Sequence, residues 1–353
     1  MTFEQCLLEQ IRNHPAVSPQ DIIKLCYQAA YGAEHLLSDP EGARRYLGQE
    51  YEETPAVDLP LWEPISEEVC RINLAGWKRE GLPLEWLFRM FALSCSEKAG
   101  DETALNRYLA RAGTVLPEAG VGFSRQAWNH ALAEYRKAGM PALHHSETYR
   151  EKEHPAYRIV NARLLRLLPI LRVVAERKEI GSDEKPVFVL AIDGRAASGK
   201  STMAEQLGQI LDAGLVHMDD FFLPLGMRTE ERLATPGGNV HYERFREEVL
   251  PHLARPEAFA YRKFECSIKD FQGVRQVEDR PIRIVEGSYS HHPELGHYAD
   301  LTVFSDVNPE EQLRRVYHRN GPEWGEIFRK KWIPLEEAYF AACRIPENAD
   351  LRV

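Results

Sequence analysis

The sequence has no uninterrupted apolar run approaching the length of a bilayer span, and Met1 to Gln10 carries acids with no basic segment ahead of an apolar one. These two absences lead us to expect neither a membrane helix nor a secretory leader. Cysteine is sparse: the six residues Cys6, Cys26, Cys70, Cys95, Cys266 and Cys343 show no close-paired metal spacing. They read as free thiols of a reducing, cytoplasmic compartment. An excess of positive charge is also missing, and the net charge of -10 argues against generic binding to nucleic acid or to an anionic membrane. Internal repeats and low-complexity stretches are absent as well. What is present, 44% hydrophobic and 28% charged residues in 353, is the make-up of an ordinary folded enzyme of two or three domains. Nothing in the sequence argues against a homo-oligomer.

The most informative stretch is Val187 to Ser201, VFVLAIDGRAASGKS. Five mostly apolar residues, Val187 to Ala191, predict a short buried strand, followed by a glycine loop and then a helix carrying Met203, Leu207, Ile210 and Leu211. In such a loop successive backbone N–H groups turn inward as a nest for phosphate oxygens, and the helix directs its positive dipole end to the same place. Gly194, Arg195, Ala196, Ala197, Ser198, Gly199, Lys200, Ser201 and Thr202 are therefore the expected nucleotide-binding residues. Lys200 would reach the β- and γ-phosphates of ATP, and Ser201 would ligate Mg²⁺. Asp193, just before the loop, is a further candidate for a Mg²⁺ or base contact, or else a brace for the loop.

Residues 1–178 read as helix after helix, an all-α domain of unassigned role. Ser18 is placed to cap a helix with Ile22, Ile23, Cys26, Ala29, Ala30 and Ala33 at helical spacing, and Asp39-Pro40 starts the next. A looser, proline-bearing stretch from Thr54 to Pro64 precedes a helix expected to carry Val69, Ile72, Leu74 and Trp77. Gly81-Leu82-Pro83 breaks the chain before a buried helix, Leu84 to Ser94. Pro155 opens a long amphipathic helical run, Ala156 to Glu176, which Pro169 is expected to kink. Two polar groups lie close to apolar faces here: Tyr27, Gln28, Tyr31, Glu34 and His35, and His144, His145, Ser146, Tyr149, Tyr157 and Arg158. They are open to three readings: a buried hydrogen-bonded network, a ligand pocket, or a metal site built from Glu34, His35, His144 and His145.

Residues 179–186, within the charged stretch ending at Pro186, read as a linker. Residues 187–353 then alternate strand and helix, the pattern of an α/β domain with a parallel sheet and flanking helices. A strand Leu215–Met218 would deliver Asp219 to the carboxyl edge of the sheet, where ligands bind. There a carboxylate can accept the proton of an attacking hydroxyl. A third strand, Ile282–Val285, brings Glu286 to the same edge as a Mg²⁺ or acceptor contact. A fourth, Leu301–Phe304, leads into a helix with Arg314, Arg315 and Arg319, whose guanidinium groups suit phosphate charge. Ala349–Val353 would add a last strand.

The segments IDGRAASGKST, VHMDDFF and VEGSYS, followed by an apolar strand and an arginine-bearing helix, resemble the uridine kinase and phosphoribulokinase family of P-loop phosphotransferases. The resemblance spans about Val187 to Val353. It implies a P-loop fold, use of ATP and Mg²⁺, Lys200 and Ser201 on the phosphates and metal, and Asp219 as the base for a sugar hydroxyl. Glu286 matches the acid ending the Walker B-like strand, and Arg315 and Arg319 match lid arginines. Acceptor contacts would come from Gly238 to Phe245 and Tyr261 to Phe271. In these segments the chain reads Asn239-Val240-His241 and YRKFECSIKDF, where uridine kinases carry an acid and a Y-D-F-x-x-H element. The partners implied are therefore ATP and a small-molecule hydroxyl acceptor of open identity. A different class of reading is a nucleotide-gated binding protein whose helical half engages a partner or effector.

Overall fold

The computed structural model describes residues 1–33, 39–55, 57–96, 100–116, 119–177, 179–265, 268 and 270–353. The chain divides into two compact units, Met1–Ala175 and Glu176–Val353. Among the described residues no helix is long and apolar enough to cross a membrane.

Unit 1 is rich in helices: α1 (Phe3–Asn13), α2 (Pro19–Tyr31), α3 (Pro40–Glu53), α4 (Leu74–Arg79), α5 (Leu84–Cys95), α6 (Glu102–Val115), α7 (Arg125–Lys137), α8 (Glu147–Glu153) and α9 (Leu168–Glu176). Its core forms around α2, whose apolar stripe Ile22, Ile23, Leu25, Cys26, Ala29 and Ala30 is buried against Leu105, Leu109 and Ala112 of α6 and Trp128 of α7. The expectation that this half is all-α is corrected by a small antiparallel sheet: β1 (Trp62–Pro64), β2 (Val69–Asn73) and β3 (Tyr157–Asn161), in the order β1-β2-β3. Val69 and Ile72, expected on a helix, lie in β2, and the helical run expected from Ala156 begins as a strand paired Val69↔Asn161 to Asn73↔Tyr157. Every residue of β2 is buried, Arg71 and Asn73 included, so the segment carries no period by which to tell strand from helix. Pro169 occupies the first turn of α9, where its missing N–H costs nothing, and it does not kink a longer helix.

Unit 2 is built on five parallel strands, β4 (Phe188–Gly194), β5 (Gly214–His217), β8 (Ile282–Glu286), β9 (Leu301–Ser305) and β10 (Leu351–Arg352), in the order β10-β9-β4-β8-β5. Helices α10 (Lys200–Leu211), α14 (Pro309–Ile327) and α15 (Ile333–Cys343) flank the sheet, and shorter helices α11 (Glu230–Ala234), α12 (Tyr242–Glu248) and α13 (Leu250–Leu253) lie between β5 and β8. Parallel strands need crossovers of this kind, and both faces of the sheet are thereby covered. This is the α/β P-loop architecture. β4 is buried along its whole length and pairs with β8 on one side and β9 on the other. Chain order reverses at that point, which opens a crevice at the carboxyl ends of β4 and β8. The strand–helix alternation is broken by an antiparallel hairpin of β6 (Phe259–Glu265) and β7 (Asp270–Val277), and between β8 and β9, where only the 3₁₀ turn Pro293–Leu295 intervenes.

At the end of β4 the backbone admits only glycine. Gly194 has φ +148°, and a Cβ there would lie 2.1 Å from the carbonyl oxygen of Ser305 on β9. We expect Gly194→Ala to cost at least about 2 kcal/mol and to abolish nucleotide binding, because the loop must lift off its neighbour strand. Thermal unfolding together with a nucleotide titration checks this, and unchanged values for both would refute it.

Candidate active site

The phosphate loop runs from Gly194 to the first turn of α10. Ala197 and Gly199 take positive φ, 59° and 92°, which turns the intervening amides toward one side. The side-chain oxygen of Ser198 is buried with no hydrogen-bond partner among the described residues, and the Lys200 ammonium rests at 3.5 Å from the Arg195 carbonyl oxygen. Nested amides, an orphaned hydroxyl and a lightly held ammonium are a donor set suited to phosphate oxygens.

Asp193 is fully buried, and its two oxygens accept from the backbone N–H of Gly194, Tyr289 and His291 and from the Tyr339 hydroxyl, at 2.7–3.1 Å. Those four bonds occupy its lone pairs. The expected Mg²⁺ contact at Asp193 is therefore corrected to a brace between β4, the segment after β8 and α15.

Ser201 and Glu286 do come together. The Ser201 hydroxyl donates to Glu286 Oε2 at 2.9 Å, and His217 Nδ1 lies 2.7 Å from Oε1. Burial pushes the Glu286 carboxyl up. The hydrogen bonds from His217 and Ser201 and the charges of His217 and Lys200 outweigh it, leaving the group below the usual carboxylate range. It is thus an anion at neutral pH. His217, the last residue of β5, was not picked out by sequence reasoning; alternation along β5 and β8 could have found it, since register pairs it with Glu286.

Asp219 and Asp220 follow β5 in a single 3₁₀ turn, Met218–Phe221, and meet opposite fates. Asp220 is buried, and its Oδ2 accepts from Arg275 Nε at 2.6 Å and from the Tyr261 hydroxyl at 3.1 Å. Tyr261 and Arg275 are cross-strand partners in the hairpin, so they present their side chains to the same face. Arg244 of α12 clamps the Asp220 carbonyl from between the rings of Phe221 and Phe271. Asp219, by contrast, has no hydrogen bond or ion pair among the described residues, and its side chain is exposed. Protein crowding on its other sides raises its pKa, as do the charges of Glu286 and Asp220, against the opposing charge of Lys200. A free carboxylate of raised basicity is the form a general base takes.

The segment expected to contact the acceptor lies beside this turn. Val240 bridges to Phe222, and the His241 N–H donates to the Phe221 carbonyl at 2.6 Å. Arg232 of α11 holds the segment in place by bonding the carbonyls of Gly238 and Val240 and pairing with Glu243. His241 is spent as the N-cap of α12, its Nδ1 accepting from the Arg244 N–H at 3.2 Å. Asn239 is buried beside the Tyr289 hydroxyl. Of the second expected segment, Tyr261 and Phe271 are placed as above, while Cys266, Ser267 and Lys269 lie outside the described residues.

The two arginines of α14 separate. Arg315 reaches the loop, its guanidinium 3.3 Å from the Ala197 carbonyl oxygen, while Glu311 holds it at 2.7 Å. Arg319 instead bonds Asn320 and lies over Phe328, and Arg314 pairs with Glu311. Sequence reasoning also missed a clamp from α15. Glu336 accepts from the Ala196 N–H at 3.0 Å and from Ser288 at 2.7 Å, and Glu337 pairs with Arg195 at 2.7 Å. Burial raises the pKa of Glu336 despite the charge of Lys200.

In unit 1, Glu34 and His35 lie outside the described residues, and among the described residues no group of three His, Cys, Asp or Glu could hold a metal ion. His145 sits between Asp21 at 2.8 Å and Tyr157 at 2.6 Å, while His144 is exposed and contributes its carbonyl to Gln20.

No protein-family model matches the sequence. Among solved structures, the chain is similar to a possible uridine kinase from Bacillus stearothermophilus, with 20% identity over 47% of this chain and 88% of that one and a TM-score of 0.37. It is also similar to a putative fructose transport system kinase from Silicibacter sp. TM1040, with 22% identity over 53% of this chain and 98% of that one and a TM-score of 0.44. At this distance neither likeness speaks to an acceptor.

Proposed function

We propose that unit 2 is an ATP-dependent phosphotransferase acting on a hydroxyl of a small molecule, a nucleoside or a similar compound. The observation that carries this reading is the unpartnered Asp219, held at the carboxyl edge beside the phosphate loop while its neighbour Asp220 is locked away. The loop amides, Ser198 and Lys200 fit the ATP phosphates. Ser201 and Glu286 fit Mg²⁺, which takes a few protein oxygens and completes its shell with phosphate and water. Bound there, the ion neutralises phosphate charge during transfer. Asp219 takes the proton of the acceptor hydroxyl as its oxygen attacks, and Lys200 and Arg315 offset charge on the transferred group.

Because Arg315 reaches the loop and Arg319 does not, we expect Arg315→Ala to lower kcat by about 10- to 100-fold and Arg319→Ala to change it less than about threefold. Steady-state kinetics on both variants decides this, and equal losses would overturn the assignment.

The defining experiment presents the pure protein with ATP, Mg²⁺ and a panel of nucleosides, pantothenate, phosphosugars, and amino and sugar alcohols, with product read by mass spectrometry. A phosphorylated acceptor supports the proposal and names the substrate. ATP binding with no product from any acceptor overturns it in favour of nucleotide-gated binding.

A further inference from the structure

Unit 1 holds a surplus of positive charge in the wall of two adjoining cavities, of about 380 and 410 Å³, which share Lys24, Tyr46 and Tyr157 in their linings. The Lys24 ammonium, half-buried on α2, makes one hydrogen bond, to the Leu143 carbonyl at 2.7 Å, and no ion pair among the described residues. Asp21, one turn earlier, makes no hydrogen bond to it and acts on it only through its charge. The Asp21 oxygens are filled by His145 Nδ1, by the N–H and hydroxyl of Ser146 and by the N–H and hydroxyl of Ser18, at 2.6–3.0 Å. Behind the cavity wall the buried Arg71 guanidinium is held by the amide oxygens of Gln10 and Gln28 and by the Tyr157 ring at 4.5 Å, and the charge of Glu63 acts on it from beyond ion-pair range. Burial and the charge of Arg71 push the Lys24 ammonium down to about 8, against the opposing charge of Asp21. A half-buried ammonium that donates one hydrogen bond of a possible three has donors to spare, and an anion entering the cavity would take them.

The hydrogen-bond order around Tyr157 narrows the ligand further. Ionised Asp21 only accepts, so His145 carries its proton on Nδ1, and its Nε2 must accept from the Tyr157 hydroxyl at 2.6 Å. Gln28 Nε2 donates to the same hydroxyl at 3.0 Å. The one proton of Tyr157 is thus used, and what it has left to offer is an acceptor lone pair. On the other wall Glu50, paired with Arg158, also only accepts. We propose that this cavity binds a small hydroxylated organic anion, with its charged head on Lys24 and a hydroxyl donating to Tyr157. Sugar phosphates and hydroxy acids share that chemistry.

The test is a footprint of lysine reactivity in the full chain, using trace acetic anhydride and peptide mass spectrometry, with ribose 5-phosphate, L-malate and inorganic phosphate as probes. Lys200 is read in the same digest and reports anion binding at the phosphate loop separately. Lys24 acylation should fall by the factor 1 + [L]/Kd, about tenfold at ten times Kd, with ribose 5-phosphate or L-malate. Protection by the first alone identifies a phosphate head, and by the second alone a carboxylate head. The thermal midpoint should rise with the same probe, and that rise should vanish in Lys24→Met. No protection and no midpoint shift from any probe up to about 20 mM would overturn the site. Protection by inorganic phosphate equal to that by the organic anions, unchanged in Tyr157→Phe, would overturn the hydroxyl contact.

Discussion

If the proposed transfer is the reaction, Asp219→Asn is expected to lower turnover by about 10²- to 10⁴-fold, the usual worth of a positioned general base, while leaving the protein folded. The second half of this expectation follows from the geometry as much as the first. Asp219 gives no hydrogen bond or ion pair to any described residue, so the amide removes no contact. Its pKa is raised in the folded state by crowding and by Glu286 and Asp220. A carboxyl with a raised folded pKa binds more protons folded than unfolded, so it loses stability as pH climbs from the ordinary aspartate value through the folded one. At neutral pH the ionised group is a cost, and the neutral amide relieves it. Asp219→Asn should therefore be as stable as the parent protein or slightly more so. The same shift would set the pH dependence of the proposed reaction. The base must be unprotonated, so kcat/KM falls on the acid side at a pH above the ordinary aspartate range, and that limb disappears in the variant. Kinetics across pH with a denaturation curve for each protein measures all three effects. A variant with parental turnover, or one that loses activity only because it unfolds, would remove Asp219 from the mechanism.

Asp21→Ala should destabilise unit 1 by about 3–5 kcal/mol, the range for removing one partner of a buried charged cluster. The carboxylate is buried and accepts five hydrogen bonds, from Ser18, His145 and Ser146, which tie the start of α2 to the start of α8. Alanine would leave donors on both elements facing a void. Burial pushes this carboxyl up, but the bonds from His145, Ser146 and Ser18 outweigh it and hold it well below the usual range. The contribution is therefore present above the ordinary aspartate pKa and is lost as pH falls through the depressed folded value. Four of the six tryptophans, Trp62, Trp77, Trp86 and Trp128, belong to unit 1, so fluorescence-detected urea unfolding follows it selectively. A loss below about 1 kcal/mol would show that the cluster is solvated rather than structural.

Much of unit 2 was legible in advance because its signals are local. The run of buried residues in β4, the positive-φ loop and the start of α10 at Lys200 are dictated within some fifteen consecutive residues, where spacing and backbone preference act directly. The strand ends carrying Asp219 and Glu286 were likewise announced by short apolar runs ending in acids. Unit 1 was less legible where strand and helix patterns coincide. The buried residues of β2 follow no period, and only pairing with β3, some ninety positions along the chain, decides that they are a strand. The hairpin was hidden too, because the alternation of Phe259 and Tyr261 is broken by a register shift before Phe264.

The sequence by itself thus determined the phosphate loop, the parallel α/β architecture and which acids reach the carboxyl edge, since each depends on neighbours along the chain. Tertiary structure alone decided which of those groups are free to react. Arg275 and Tyr261 neutralise Asp220 and leave Asp219 open, four donors consume Asp193, and Glu336 reaches the Ala196 amide from 140 residues away. A carboxylate has the same identity in the sequence whether its lone pairs are filled or empty, and filling them takes donors that only folding brings within 3 Å.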